Sequence, residues 1–202
     1  MPYAVFLWAV DSGQWTGYNV AHYLMKFTKL EIPDLVLVEP DVHRDSRGFF
    51  FESYREDEFV KNGLPPLKQD NHSLSVKGVL RGLHFQRAPH AQAKLIRAIR
   101  GEIFDVAVDV RKFSPTYGKH IHIHLTAENK KMLYVPAGFA HGYCVLKDDT
   151  EVLYKVSDYY APQSEGGLFW NDPALQIPWP KLDIPYVLNP RDQKFPLLKD
   201  LS

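Results

Sequence analysis

Cysteine is nearly absent from the 202-residue chain: Cys144 is the only one. No disulfide can form within the chain, and no Cys-x-x-Cys pair exists for zinc or thiol redox chemistry. Net charge is lacking too, since 24 Lys and Arg are balanced by 24 Asp and Glu, with nine His counted as neutral. A chain without net positive charge has no general attraction for nucleic acid or an anionic membrane surface, although local basic pockets stay open to it. No run of about 20 apolar residues is there to span a bilayer. No cationic segment precedes the short apolar run 4–10 and no small-residue cleavage site follows it, which argues against a signal peptide. The expectation is a cytoplasmic protein in a reducing compartment. Helix-favouring composition is also missing: 13% aromatics and 15 Pro against 12 Gly favour strands and Pro-broken loops.

No Lys, Arg or Glu occurs before Lys26. From Met25 the pattern Lys26-Phe27-Thr28-Lys29-Leu30-Glu31-Ile32 alternates as a strand does. One domain is expected over 25–202, with 1–24 as an extension or a start-site artefact. Period-2 segments recur at 26–32, 35–39, 48–53, 78–86, 94–100, 102–110, 118–125, 131–135, 142–146 and 151–157. Short strands between Gly, Pro, Asn and Asp turns predict an antiparallel sandwich or barrel. Only Arg55 to Asn62, stopped by Gly63, reads as a helix. The Pro-rich tail from 173 carries Ile177, Trp179, Ile184 and Tyr186 and is expected to pack on the barrel. In 151–157, parity puts Tyr154 on one face with Val152 and Val156, so its phenol points inward.

A first signature of the cupin class runs Gly, five residues, His-x-His, three or four residues, Glu, six residues, Gly. Here Gly78 precedes His84 by that spacing and Lys94 precedes Gly101 by the other, but Gln86 stands for the second His and Lys94 for the Glu. The second signature is intact as Pro136-Ala137-Gly138-Phe139-Ala140-His141. The chain thus resembles a cupin whose metal chemistry has been replaced, because an ammonium among the ligands repels a divalent ion. His120, His122 and His124 share one strand face with roughly 6.5–7 Å between neighbours. An exposed or pH-sensitive polar face is the expectation there rather than a metal site, as no nearby carboxylate completes a shell.

Longer motifs are then recognisable. They are Asp45-Ser46-Arg47-Gly48-Phe49-Phe50-Phe51-Glu52, Gln69-Asp70-Asn71-His72-Ser73, Val79 to Gln86, Phe104 to Arg111, Ser114 to Gly118, Pro136 to Gly142, Tyr154-Lys155 with Tyr159-Tyr160, Trp170 to Pro173, and Arg191-Asp192. In this order, from about Met25 onward, they strongly resemble the dTDP-4-dehydrorhamnose 3,5-epimerase family. The resemblance implies a homodimeric, metal-independent and cofactor-free cupin barrel. Such an enzyme inverts C3 and C5 of dTDP-4-keto-6-deoxy-D-glucose to give dTDP-4-keto-L-rhamnose, for rhamnose-containing cell-surface polysaccharide such as lipopolysaccharide. It implies His84 as base, Asp192 as its carboxylate partner, Tyr154 as acid on the opposite face and Lys94 as the cation for the enolate. It also implies substrate contacts from Arg47, Glu52, Gln69, Asn71, Arg81, His141, Glu165 and Arg191, the last standing where many relatives carry Lys.

Several readings stay open at this stage. Strict alternation sets Arg81 on the face opposite His84, so both reach one pocket only if the strand bulges, for which Gly82 is the natural place. Asp105 and Asp109 fit either structural acids or alternative partners for His84. The competing functions are an epimerase of C3 or C5 alone and a nucleotide-sugar-binding protein without catalysis; Gln86 and Lys94 disfavour a metal-dependent oxygenase.

Overall fold

The computed structural model describes residues 6–11, 14–19 and 25–201. Strands β1 (Phe6–Asp11) and β2 (Gln14–Asn19) form an antiparallel hairpin that the period-2 reading did not propose. From Lys26 the chain builds β3 (Lys26–Lys29), β4 (Val36–Glu39), β5 (His43–Asp45) and β6 (Gly48–Phe50). The helix α1 (Glu56–Lys61) follows, then β7 (Gln69–Ser75), β8 (Val79–Gln86), β9 (Lys94–Arg100), β10 (Glu102–Asp109) and β11 (His120–Thr126). The last strands are β12 (Met132–Val135), β13 (Phe139–Val145), β14 (Thr150–Val156), β15 (Glu165–Gly167) and β16 (Val187–Leu188).

Two six-stranded sheets result, in the orders β11-β10-β13-β8-β15 with β16 parallel to β8, and β3-β4-β12-β9-β14-β7. This is the expected cupin-type jelly roll, antiparallel apart from β16. Between the sheets the inward residues of alternate parity, among them Ile96, Ile103, Ala107, Leu133, Phe139, Val145 and Val152, fill the interior. Outside the first sheet, Phe104, Val106, Val108 and Cys144 are covered by Leu168, Leu175, Trp179 and Leu201, so the tail packs on the barrel as expected. Outside the second, Val38, Leu95, Met132 and Tyr134 are covered by Phe59 of α1 with Leu64 and Leu67. Both faces of β10 are therefore buried, which its alternation of Phe and Val with Ile, Ala and Asp did not require.

The largest difference from the expected strand set is β7. Its residues, Gln69-Asp70-Asn71-His72-Ser73-Leu74-Ser75, have almost no hydrophobic alternation, yet all seven pair with β14. Its inward positions are polar because they face a cavity rather than the core. β13 begins at Phe139, ahead of the expected 142, and so carries His141 within a strand.

Candidate active site

The apolar filling stops at a cavity of about 540 Å³, into which both sheets send polar side chains. β8 supplies Arg81 and His84, β9 Lys94, β13 His141 and Tyr143, β14 Tyr154, and β15 Glu165. Asn189, Arg191 and Asp192 close it from the tail. A smaller lobe of about 110 Å³ continues past Lys94, Tyr154 and Tyr160 to Gln69, Asn71, Gln86 and Gln92.

The backbone at Gly82 brings Arg81 and His84 to one side. His84 stands opposite His141, but Arg81 stands opposite Tyr143, and the register shifts between them. Gly82 has φ +122°, a conformation that side-chain-bearing residues rarely adopt. A Cβ there would lie 2.6 Å from the Gly142 Cα and 2.8 Å from the His141 carbonyl oxygen. The bulge expected from parity is thus present, and Arg81, though exposed, lines the cavity, where its guanidinium donates to the Ser75 hydroxyl at 3.1 and 3.3 Å.

His84 Nε2 lies 2.8 Å from Asp192 Oδ1, while the Gly82 N–H donates to Asp192 Oδ2 at 3.1 Å. Of the three acids that sequence left open as partners of His84, the structure places Asp192 there. Burial works to raise the Asp192 pKa, but the His84 hydrogen bond and charge, the Gly82 N–H and Arg191 outweigh it and hold the carboxyl below its ordinary value. An ionised Asp192 accepts from Nε2–H, which leaves the Nδ1 lone pair to take a proton. Asp105 instead holds His141, whose Nε2 is 2.9 Å from Oδ2. Asp109 is structural: it accepts from Arg111 and Thr116 at 2.7 Å each and clamps the loop after β10.

Lys94 is buried, and its Nζ donates to the His84 carbonyl at 3.1 Å. Burial lowers its pKa to about 8, against the pull of Asp105 and Glu165. Tyr154 stands on the opposite sheet from His84, inward as parity predicted, directly across from Asn71 of β7. Burial raises its pKa, Arg81 opposes and Glu165 adds to the rise, so the phenol keeps its proton at neutral pH. Glu165 accepts from Arg191 at 2.7 Å and from the Tyr160 hydroxyl at 3.2 Å.

Two expected contacts are not brought here by their own chain. Arg47 lies in the β5–β6 hairpin, where Nε donates to Asp45 at 3.1 Å, and Glu52 follows that hairpin, 3.9 Å from Arg55. Neither lines the cavity. Residue-type reasoning also missed Tyr143, Ser73 and Ser75: the Tyr143 hydroxyl meets Ser73 Oγ at 3.0 Å across the barrel. The parity of β13, which sets Tyr143 on the face of His141, was the available signal. His120, His122 and His124 lie on the outer face, with His122 and His124 exposed. One point there is corrected: a carboxylate is near, since Glu102 lies 2.9 Å from His124 Nδ1 through the β10–β11 pairing. Even so, no group of three or more ligand-type residues converges for a metal ion among the described residues.

The family model described as dTDP-4-dehydrorhamnose 3,5-epimerase matches residues 29–200. The chain belongs to the dTDP-4-dehydrorhamnose 3,5-epimerase family. It is 50% identical over 177 residues to the family member from Salmonella typhimurium, covering 87% of this chain and 96% of that one. It is 52% identical over 172 residues to the one from Pseudomonas aeruginosa, covering 84% and 94%. Among solved structures, the Legionella pneumophila epimerase in complex with dTDP-4-keto-L-rhamnose superposes with a TM-score of 0.85 at 41% identity, covering 89% and 95%. A 3′-monoepimerase from Streptomyces bikiniensis in complex with dTDP-quinovose superposes at 0.80 with 37% identity, covering 84% and 86%. The epimerase family match thus runs from the end of β3 into the C-terminal tail and starts after residues 1–24.

Proposed function

We propose that the protein epimerises C3 and C5 of dTDP-4-keto-6-deoxy-D-glucose to give dTDP-4-keto-L-rhamnose. The observation that carries this reading is a base and an acid on opposite walls of one cavity: His84 on one sheet with Asp192 of the tail against it, Tyr154 on the other sheet, and a buried Lys94 beside them. Inversion needs that arrangement, because the proton must leave one face of the sugar and return to the other.

His84 Nδ1 takes the proton α to the C4 ketone, the C–H electron pair becomes the double bond to C4, and the carbonyl π pair moves onto the C4 oxygen. The Lys94 ammonium stabilises the enolate; losing one such fixed donor typically costs about 10²–10³ in rate. Tyr154 then gives its proton to the opposite face as the C4 carbonyl re-forms. Asp192 stabilises the imidazolium and fixes its orientation, as carboxylates do in other His pairs. Arg81 and His141 hold the hexose, and Gln69, Asn71, Glu165 and Arg191 hold the nucleotide and diphosphate. Arg191, already within 2.7 Å of Glu165, offers the planar fork of donors that suits a diphosphate. No cofactor and no metal enters these steps.

Arg47 and Glu52 lie outside their own chain's cavity, so in the homodimer we infer, they contribute to the partner subunit's site. Residues 1–24 are an extension to a single catalytic domain, and the protein works in the cytoplasm on a soluble nucleotide sugar, without nucleic acid or membrane as partner. No helix among the described residues is long and apolar enough to cross a membrane.

Incubation with the substrate in deuterated water, with deuterium counted at C3 and C5 by NMR, tests the reading. Label at both carbons is the expected result. Label at one carbon would assign the chain to single-site epimerases such as the Streptomyces bikiniensis relative, and label at neither would reject catalysis on this sugar. His84→Ala is expected to abolish exchange, and Tyr154→Phe to impair inversion more than exchange.

A further inference from the structure

Gln86 stands where a metal-binding cupin carries its second His, and the proposed mechanism gives it no part. Two residues after His84 on β8, it lines the smaller lobe of the cavity. It is only 5% exposed, so its carboxamide has to find its partners within the protein. Those partners are backbone groups of two loops. Nε2 donates to the His90 carbonyl at 2.6 Å and to the Tyr159 carbonyl at 3.3 Å, and Oε1 accepts from the Ala161 N–H at 2.8 Å.

Residues 157–161 lie between the end of β14 and the 3₁₀ turn Pro162–Ser164, in no strand or helix of their own. Backbone groups that leave a sheet lose their ladder partners and need others. Here glutamine side chains stand in for the ladder, residue by residue. Gln92 Nε2 donates to the Asp158 carbonyl at 2.6 Å, Gln86 holds Tyr159 and Ala161, and Gln69 Oε1 of β7 accepts from the Tyr160 N–H at 3.2 Å. Gln86 and Gln69 belong to opposite sheets, so the segment is stitched to both walls of the barrel. The outcome is the placement of Tyr160. Its residue is 54% exposed, yet it lines both lobes of the cavity, and its hydroxyl donates to Glu165 at 3.2 Å. Glu165 in turn pairs directly with Gln86 across β15 and β8. Little packing holds so open a ring, so the bonds to the backbone at 159, 160 and 161 decide where it stands.

We propose that Gln86 is a positioning residue for nucleotide-sugar binding: in the slot of a metal ligand, its carboxamide pins residues 159–161 so that Tyr160, bonded to Glu165, walls the cavity. The binding consequence rests on the epimerase reading, whereas the clamp itself does not. Without the carboxamide, Tyr160 has to be ordered at each binding event, and affinity falls by that cost. The reacting groups His84, Lys94 and Tyr154 are held by their own strands and are untouched.

The test is calorimetric titration of the full-length protein with dTDP, alongside steady-state kinetics and amide hydrogen exchange by NMR. Gln86→Met keeps the side-chain length and removes both donors and the acceptor. It is expected to weaken dTDP binding and raise KM by about tenfold, with kcat within about threefold. A merely structural lesion would lower kcat instead. Because Gln86 acts through Tyr160, the same substitution should change dTDP affinity by less than about twofold in a Tyr160→Ala background. The Ala161 amide proton, though outside any strand, should exchange as slowly as those of β14 in the unmodified protein and faster in Gln86→Met. An unchanged dTDP affinity in Gln86→Met, a tenfold loss in both backgrounds, or fast Ala161 exchange in the unmodified protein overturns the proposal. If Gln86→Met does not fold, Gln86→Glu, which keeps the acceptor for Ala161 and loses both donors, takes its place, and exchange in the unmodified protein needs neither variant. Slow Ala161 exchange in a protein that does not bind dTDP would reject the epimerase reading, and the binding role with it, and leave the clamp standing.

Discussion

A histidine becomes a base only through what its other nitrogen touches. His84 carries Asp192 at 2.8 Å on Nε2, so Asp192→Asn, which can still accept from the Gly82 N–H, removes the charge without emptying the space. The expected outcome is a fall in kcat of about 10²–10⁴-fold, the range for losing effective general-base catalysis, with KM changed far less; steady-state kinetics check it. Lys94 sets a second pH limit. Its pKa is pushed down to about 8, so the cation is present below that pH and is lost as pH rises through it. The kcat profile is therefore expected to fall on its alkaline side near pH 8, well below the ordinary lysine range. His84 and Lys94 stood out in the sequence because the cupin spacing keeps His84 and puts Lys94 where a metal-binding cupin has Glu, and Tyr154 stood out because parity points it inward; their roles came from the family resemblance. The assignment of Asp192, about a hundred residues distant from His84 in the chain, came from the family resemblance and not from any local pattern.

Strand β8 does its work through one irregular residue. Gly82→Ala would place a methyl 2.6 Å from the Gly142 Cα at a backbone angle that alanine resists, so β8 and β13 would have to part. A loss of roughly 3 kcal/mol or more is expected, read as a drop in Tm of about 6–12 °C for a domain of this size, together with loss of activity as Arg81 leaves the cavity. The end of β10 supplies a different test. Burial acts to raise the Asp109 pKa, but hydrogen bonds from Arg111, Ser114 and Thr116 overcome it and hold the pKa at about 2. A depressed carboxylate stabilises the fold above its unfolded value of about 3.9, and that contribution is lost as pH falls from about 4 through about 2. Asp109→Asn should lower Tm at pH 7 and flatten the pH dependence of Tm across that window. Periodicity found β8, β9, β10 and β14 because their alternate residues enter an apolar core. It was blind to β7, whose inward Gln69 and Asn71 line the polar cavity and whose Ser73 and Ser75 bond the cavity residues Tyr143 and Arg81. An element that serves a site rather than a core loses the hydrophobic signal by which strands are read.

At the scale of the whole molecule, Arg47 and Glu52 lie apart from their own chain's cavity. If Arg47 acts in the partner subunit's site, mixed dimers of Arg47→Ala and His84→Ala chains should recover activity that neither variant has at low substrate, since one of the two sites carries neither lesion. Co-expression with two affinity tags and assay of the doubly purified dimer checks it, and no recovery would place Arg47 in its own chain's site. Removal of residues 1–24 is expected to leave kcat, KM and the dimer mass unchanged by light scattering, in keeping with a family match that starts at residue 29. By itself, the sequence determined the class of fold and the barrel strands with apolar faces, because alternation is a local property, while the proposed reacting side chains came from the resemblance of its motifs to the family. Only the tertiary structure decided that Asp192 rather than Asp105 or Asp109 holds His84, that a bulge at Gly82 turns Arg81 inward, and that Arg47 and Glu52 stand apart. Those outcomes depend on strand register and on which buried charges face one another across the barrel. Distances of that kind arise between segments far apart in the chain, and no local pattern encodes them.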